Sequence, residues 1–274
     1  MKPITHFLFI TLVCVLVSSC QKPFLDPDGG GGIDPDAQNF ISAAGITDIV
    51  QKTAINDFVI QLKDSLIWDK FMAIYPMIGG TQQSIKWNLK DPRDQDAAFR
   101  LTIYGTPTYS STGVLFPTNS DYADTHFIDS MFIYNDNSIS YYSLTQNTVD
   151  GYDMGCMDNA APYNEFSIYF SNDASVWFGY RGFAVTPLST RGLFMFSSTW
   201  ADVKRYENGV HTDSRGSAPL AGFTNKPILL GIVAQAISGG HRECALATIG
   251  RGLSDREALA FYIIAQAYET RLGR

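Results

Sequence analysis

The sequence predicts a mainly β protein: an antiparallel β-sandwich with a helical segment before it and one helix after it. Three observations carry this. From Gly79 onward, short runs of β-branched and aromatic residues alternate with clusters of Gly, Asn, Asp and Ser, the spacing of many strands joined by turns. Within that region Glu207-Asn208-Gly209 is a tight-turn signal, because Asn and Gly accept the positive φ of a short hairpin, and Val210 opens the returning strand. At the end, Ser254 with Glu257 three residues on forms a capping box ahead of an apolar face of Leu259, Phe261, Tyr262, Ala265, Tyr268 and Leu272.

The elements before the sandwich follow from capping and periodicity. Asp36 can cap a short helix that runs to Ala44 and stops at Gly45. Thr47 or Asp48 can cap the next, whose apolar residues Ile49, Val50, Ala54, Ile55, Phe58, Val59 and Leu62 share one face. Residues 66–74, with Trp68, Phe71 and Met72, read as a third helical turn ended by Pro76. Strands are then expected at 84–89, 101–104, 109–116, 127–134, 138–144, 153–157, 166–171, 175–180, 192–197, 202–206, 228–233 and 244–250.

The first 35 residues read as an address. Met1-Lys2 precedes an apolar run over 7–17, shorter than the ~20 residues of a membrane span. Leu16-Val17-Ser18-Ser19-Cys20 resembles the bacterial lipobox, which implies a signal peptide over 1–19 and lipidation of Cys20. Gln21 after Cys20 implies, by resemblance to Gram-negative sorting, the outer membrane or cell surface. Residues 20–35, rich in Pro, Gly and Asp, read as a flexible tether. The domain division is therefore 1–19, 20–35, a helical segment over 36–78 and the sandwich with its closing helix over 79–274.

Composition excludes several functions. The chain has 274 residues, 45% hydrophobic and 17% charged, which is enough apolar material for a large core. A formal net charge of -7 without a basic block argues against a nucleic-acid partner. The four His residues lack metal-ligand spacing and no CxxC is present, so no zinc site is expected. Gly29 to Gly32 lack the Lys-Ser/Thr that a phosphate loop needs.

Three segments resemble concanavalin A-like (laminin-G-like) jelly-roll domains. They are Gly113-Val114-Leu115-Phe116 with 119–125, Val203-Lys204-Arg205-Tyr206-Glu207-Asn208-Gly209, and 247–257 with its Leu253-Ser254-Asp255-Arg256-Glu257. Residues 39–274 also resemble lectin-like proteins of phage tails and Bacteroidota lipoproteins. The resemblance implies a fold that hosts lectins, adhesion modules and glycanases alike.

Catalytic chemistry finds little support. Glu165, Glu207, Glu243, Glu257 and Glu269 do not form the paired-carboxylate run of a glycanase, and G-x-S-x-G is absent, so no catalytic residues are assigned and no enzyme activity is expected. No cofactor is assigned either. Asp121, Asp124, Asp129, Asp136 and Asn137 concentrate oxygen atoms that could hold calcium or simply serve as solvated turn residues. Cys156 and Cys244 can form a disulfide in an exported protein or remain two buried thiols.

Sugars stack on exposed aromatic rings flanked by polar groups, and Trp200 with Asp202 meets that description, between a strand and the hairpin. Trp177, Tyr180 and Arg181 are the second candidate set, with burial in the core as the competing role. The expectation is a surface-anchored, non-catalytic protein that binds a carbohydrate or glycoprotein. A structural or adhesion module with a protein partner is the alternative, and a glycan-active enzyme the third.

Overall fold

The computed structural model describes residues 32–158, 165–170, 176–178, 189–200, 202–216, 223–233 and 238–274. The expected signal peptide, Cys20 and most of the expected tether fall outside the described residues. Helices α1 (Pro35–Ala44) and α2 (Ile49–Asp64) come first. Asp34, rather than Asp36, caps α1 by accepting from the Asp36 amide, and Gly45 ends it in the left-handed region. Asp48 caps α2 through the Gln51 amide, as its position before the apolar stripe predicts.

The strands are β1 (Phe71–Tyr75), β2 (Thr102–Tyr104), β3 (Thr108–Tyr109), β4 (Val114–Leu115), β5 (Tyr122–Ile128), β6 (Asn137–Ser143) and β7 (Gly151–Met157). They continue with β8 (Glu165–Phe170), β9 (Val176–Phe178), β10 (Gly192–Ser198), β11 (Asp202–Glu207), β12 (Val210–Gly216), β13 (Pro227–Leu230) and β14 (Cys244–Gly250). A short helix, α3 (Gln82–Ile85), lies between β1 and β2, and α4 (Asp255–Arg271) closes the chain. Two antiparallel sheets result. One runs β12-β11-β10-β6-β14-β4-β3, with β1 also paired to β14; the other runs β2-β5-β13-β7-β8-β9.

The sheets face one another across one core, and the helices cover the other side of the larger sheet through a second. β10 shows both. Phe194 and Phe196 point between the sheets, where edge-to-face rings meet Phe170 and Phe166 at 4.8 and 5.0 Å. Leu193 and Met195 point the other way, into a cluster with Phe40, Phe58, Phe261 and Tyr268. A strand buried on both faces has no polar alternation, which is why 193–196 reads as an unbroken apolar run. The α4 helix starts at the predicted capping box and packs Phe261 on Phe71 at 5.0 Å and Tyr268 on Phe58 at 4.9 Å.

Four further expectations differ from the structure. Residues 66–74 are not a helical turn: after a 3-10 turn at Trp68–Lys70 the chain extends as β1, with Phe71 opposite Gly250, an irregularity before Ala73, and Ala73 to Tyr75 opposite Ile249 to Ala247. Pairing with β14 outweighs the helical spacing of the aromatics. The far edge of β1 is sealed by buried Asn88, whose Oδ1 accepts from the Ile74 amide at 3.0 Å while its Nδ2 donates to the Met72 carbonyl. Residues 84–89 hold part of α3, started by a Thr81–Ser84 capping box, rather than a strand. Residues 109–116 split into β3 and β4, because the Ser110 amide donates to the Gly113 carbonyl and turns the chain. The strand expected at 127–134 lies earlier, as β5, and a 3-10 turn at Asp129–Met131 follows it.

Cys156 and Cys244 are free, buried thiols on opposite sheets, each pushed up in pKa by burial. The acidic residues between 121 and 137 are dispersed. Asp121 accepts from Thr106 and Thr118, Asp124 from the His126 amide, and Asp129 from the amides of Thr224 and Asn225. Asp136 takes Arg251 and the Gly252 amide, and Asn137 donates to the Ile133 carbonyl. Among the described residues no three carboxylate, His or Cys groups gather as metal ligands.

Candidate functional site

Trp200 stands on the turn between β10 and β11. That turn is closed by two backbone hydrogen bonds, from the Thr199 amide to the Asp202 carbonyl at 2.8 Å and from the Asp202 amide to the Thr199 carbonyl at 3.1 Å. Its support is fixed further back. β10 is paired on one side with β6 and on the other with β11, and Ser197 exchanges hydrogen bonds with Leu253, accepting from its amide at 2.7 Å and donating to its carbonyl at 2.9 Å. The indole is 67% exposed. Trp68 and Trp87 are buried, so the chain does place tryptophan in its cores where packing requires it.

The expected polar surroundings are only partly there. Thr199 and Asp202, on the same turn as Trp200, are both half-buried, whereas Ser197 and Ser198 are buried. Behind the turn, Asp255 receives Lys204 Nζ at 2.9 Å and the Tyr206 hydroxyl at 2.7 Å, which holds its carboxyl below the usual range and ties β11 to the start of α4. The second candidate set sits on the other sheet. Trp177 is in β9, opposite Tyr169 of β8, while Tyr180 and Arg181 fall outside the described residues. The structure therefore keeps Trp200 and Asp202 on one turn of the larger sheet, with Trp177 on the other sheet.

Glutamates occupy structural contacts. Glu243 accepts from the hydroxyls of Ser110 and Thr112, Glu257 caps α4 and pairs with Lys70, and Glu269 is buried against Arg274 at 2.8 Å. Glu207 pairs with Arg205, and Glu165 accepts from Ser167.

Two surface features escape the sequence reading. A cleft of about 540 Å³ runs between the end of α2 and the start of α4, lined by Ser65, Leu66, Ser254 and Arg256 among others. A groove of about 440 Å³ lies beside β2, lined by Gln82, Gln83, Lys86, Arg100 and residues 101–103. On the next same-face position of β2, Tyr104 stacks on Tyr122 with ring centroids 4.6 Å apart and planes 16° from parallel. The Tyr104-Gly105 step before a polar loop was the one signal in the sequence, and a lone Tyr before Gly carries no spacing that marks a site.

No family model matches the chain, and no curated protein does. Among solved structures, a Trypanosoma rangeli sialidase in complex with sialic acid matches with a TM-score of 0.51 and 7% identity, covering 72% of this chain and 33% of that one. Domain 4 of an extracellular arabinanase from Geobacillus stearothermophilus, in complex with arabinotriose, gives 0.47 and 18% identity over 70% of this chain and 98% of that one. The receptor-binding domain of botulinum neurotoxin C/D mosaic serotype gives 0.48 and 10%, covering 71% and 51%. The chain thus spans about a third of the sialidase and about half of the neurotoxin domain. The sialidase likeness extends to the β-sandwich fold.

Proposed function

We propose that this chain is a non-catalytic carbohydrate-binding protein on a concanavalin A-like sandwich, held at the outer membrane or cell surface by lipid on Cys20. The ligand is a glycan or the glycan of a glycoprotein. The observation that carries the binding reading is Trp200, an exposed indole on a turn closed by backbone hydrogen bonds at the end of a doubly paired strand. An aromatic face held rigidly in solvent, with hydrogen-bonding groups beside it, is what stacking on a pyranose requires. Anchoring is supported by the lipobox resemblance and the Gly-rich tether.

A soluble fragment over 33–274 on a glycan array tests the binding. A lost aromatic stack costs ~0.5–1.5 kcal/mol beyond area burial, so Trp200→Ala weakens binding several-fold and leaves the melting temperature nearly unchanged. A mutant that binds as well as the wild type moves the site elsewhere; one that melts far below it makes Trp200 a packing residue. For the anchor, Cys20→Ala abolishes palmitate labelling and releases the full chain from membranes, and unchanged membrane partition overturns it.

A protein partner is the second reading. It is favoured by Leu259 and Ile263, 47% and 57% exposed and one turn apart on the solvent side of α4.

A further inference from the structure

We propose that the groove beside β2, together with the Tyr104–Tyr122 pair, is a second carbohydrate-contacting site, separate from Trp200 and suited to a neutral oligosaccharide. It rests on the reading of the chain as a carbohydrate binder and adds a location and a ligand class to it.

The aromatic part is a platform. Tyr104 is 43% exposed and lies parallel on Tyr122 across the β2–β5 pair, so its outer face is presented flat to solvent. The backbone beneath it is braced. Gly105 takes a φ of +77°, and the Asp121 carboxylate lies where a β-carbon would stand. That carboxylate accepts from the Thr106 amide at 2.6 Å and from the Thr118 hydroxyl at 2.6 Å, which fixes the turn that follows the tyrosine.

The polar part is the groove. Thr102 lines it and lies on the same face of β2 as Tyr104, two residues and therefore ~7 Å away along the strand. One sugar ring stacked on Tyr104 would place its neighbour at Thr102. The walls supply the exposed primary amides of Gln82 and Gln83, which both donate and accept, as adjacent sugar hydroxyls demand.

Charge decides the ligand class. The cations of the groove are already engaged: Lys86 with Asp94 at 3.0 Å, and Arg100 with Asp94 at 3.0 Å and Asp96 at 2.5 Å. His126 Nε2 meets the Thr102 hydroxyl at 2.7 Å and Asp96 at 3.4 Å. Two cations against Asp94 and Asp96, with Asp124 opposite Thr102 across the β2–β5 pair, leave no surplus positive charge beside the groove. A sugar carboxylate would have to displace an aspartate, whereas neutral hydroxyls can join the network without breaking a pair. Two sites on one chain would also raise avidity for a branched or repeating glycan.

The test uses the 33–274 fragment with arrayed neutral and acidic oligosaccharides, comparing wild type with Tyr104→Ala, Gln83→Ala and Trp200→Ala. Tyr104→Phe serves as the conservative control for folding and stacking. The expected result is a set of neutral glycans whose binding falls several-fold in Tyr104→Ala and Gln83→Ala, persists in Tyr104→Phe and survives Trp200→Ala. Wild-type binding by both groove variants overturns the second site and leaves Trp200 standing. Loss of some glycans in Tyr104→Ala, with no glycan anywhere on the array weakened by Trp200→Ala, overturns the Trp200 site and leaves the groove standing. A Tyr104-dependent preference for acidic glycans overturns the ligand class, and silence of the wild type across the array overturns both sites.

Discussion

Asp121 shows how single side chains fix the loops of this sandwich. Burial works against its ionisation, but hydrogen bonds from the Thr118 hydroxyl and the amides of Thr106 and Thr118 outweigh it and hold the carboxyl below 3.8. The folded pKa is depressed, so the unfolded chain takes up the proton first as pH falls. The stabilisation is present above about pH 4 and is lost as pH drops through the folded value. Asp121→Asn is expected to destabilise by ~1–3 kcal/mol at pH 7, the cost of weakening charge-assisted bonds in a buried site, and by less at pH 3. Urea unfolding at the two pH values checks this, and a pH-independent difference would count against it. The sequence shows Asp121 only as one of several acids close in number; that each serves its own turn depends on which amides lie nearby in the fold. Trp200 was legible because its place between an apolar run and a hairpin put it in a turn. Tyr104 was not, since its partner Tyr122 is 18 residues away in sequence and is brought beside it by pairing of β2 with β5.

Among elements, several with local signals were readable, although the Asp34 cap and the Thr81–Ser84 capping box are as local and lie where Asp36 and a strand were expected. The caps at Asp48 and Ser254, the left-handed Gly45 and the Asn208-Gly209 turn all act within four residues, and all are found where expected. β1 was misread because its identity is set by β14, more than 170 residues further on. The β11–β12 hairpin also makes a prediction that combines local and distant effects. Asn208 and Gly209 have φ of 50° and 74°, and the Asn208 side chain accepts from the Leu193 amide at 2.9 Å. A β-carbon on Gly209 would lie 2.7 Å from Cβ of Tyr262 in α4. Gly209→Ala therefore meets both a disfavoured backbone and a clash, and is expected to cost ~1–3 kcal/mol, read as a lowered melting temperature. An unchanged melting temperature would show that the turn and α4 yield without cost.

At the scale of the whole molecule, helices and sheets share one hydrophobic layer. The sequence reading set a boundary at 78/79, between a helical segment and a sandwich. The structure runs the core across it: Phe40, Phe58, Trp68 and Phe71 from the first part join Tyr142, Leu193, Met195 and Leu246 from the sheet and Phe261 and Tyr268 from α4. β1, also before the boundary, supplies Ala73 and Tyr75 to the space between the sheets. Composition could not reveal this, because residues buried on both faces of a sheet look the same in sequence whichever layer covers them. A fragment over 79–274 would leave the outer face of β6, β10 and β14 covered by α4 alone, without Phe40, Phe58, Trp68 and Phe71, and would open the β14 edge that β1 pairs. Exposing that apolar surface costs ~25 cal/mol per Å², a loss larger than the ~5–15 kcal/mol by which domains are stable once several large side chains are uncovered. The fragment is expected to aggregate, or to bind ANS without a cooperative transition, whereas 33–274 unfolds cooperatively. Near-ultraviolet circular dichroism and thermal unfolding of both fragments decide the matter: a soluble 79–274 fragment with a sharp transition would mean that the sandwich is stable alone and that the helices are an accessory to it.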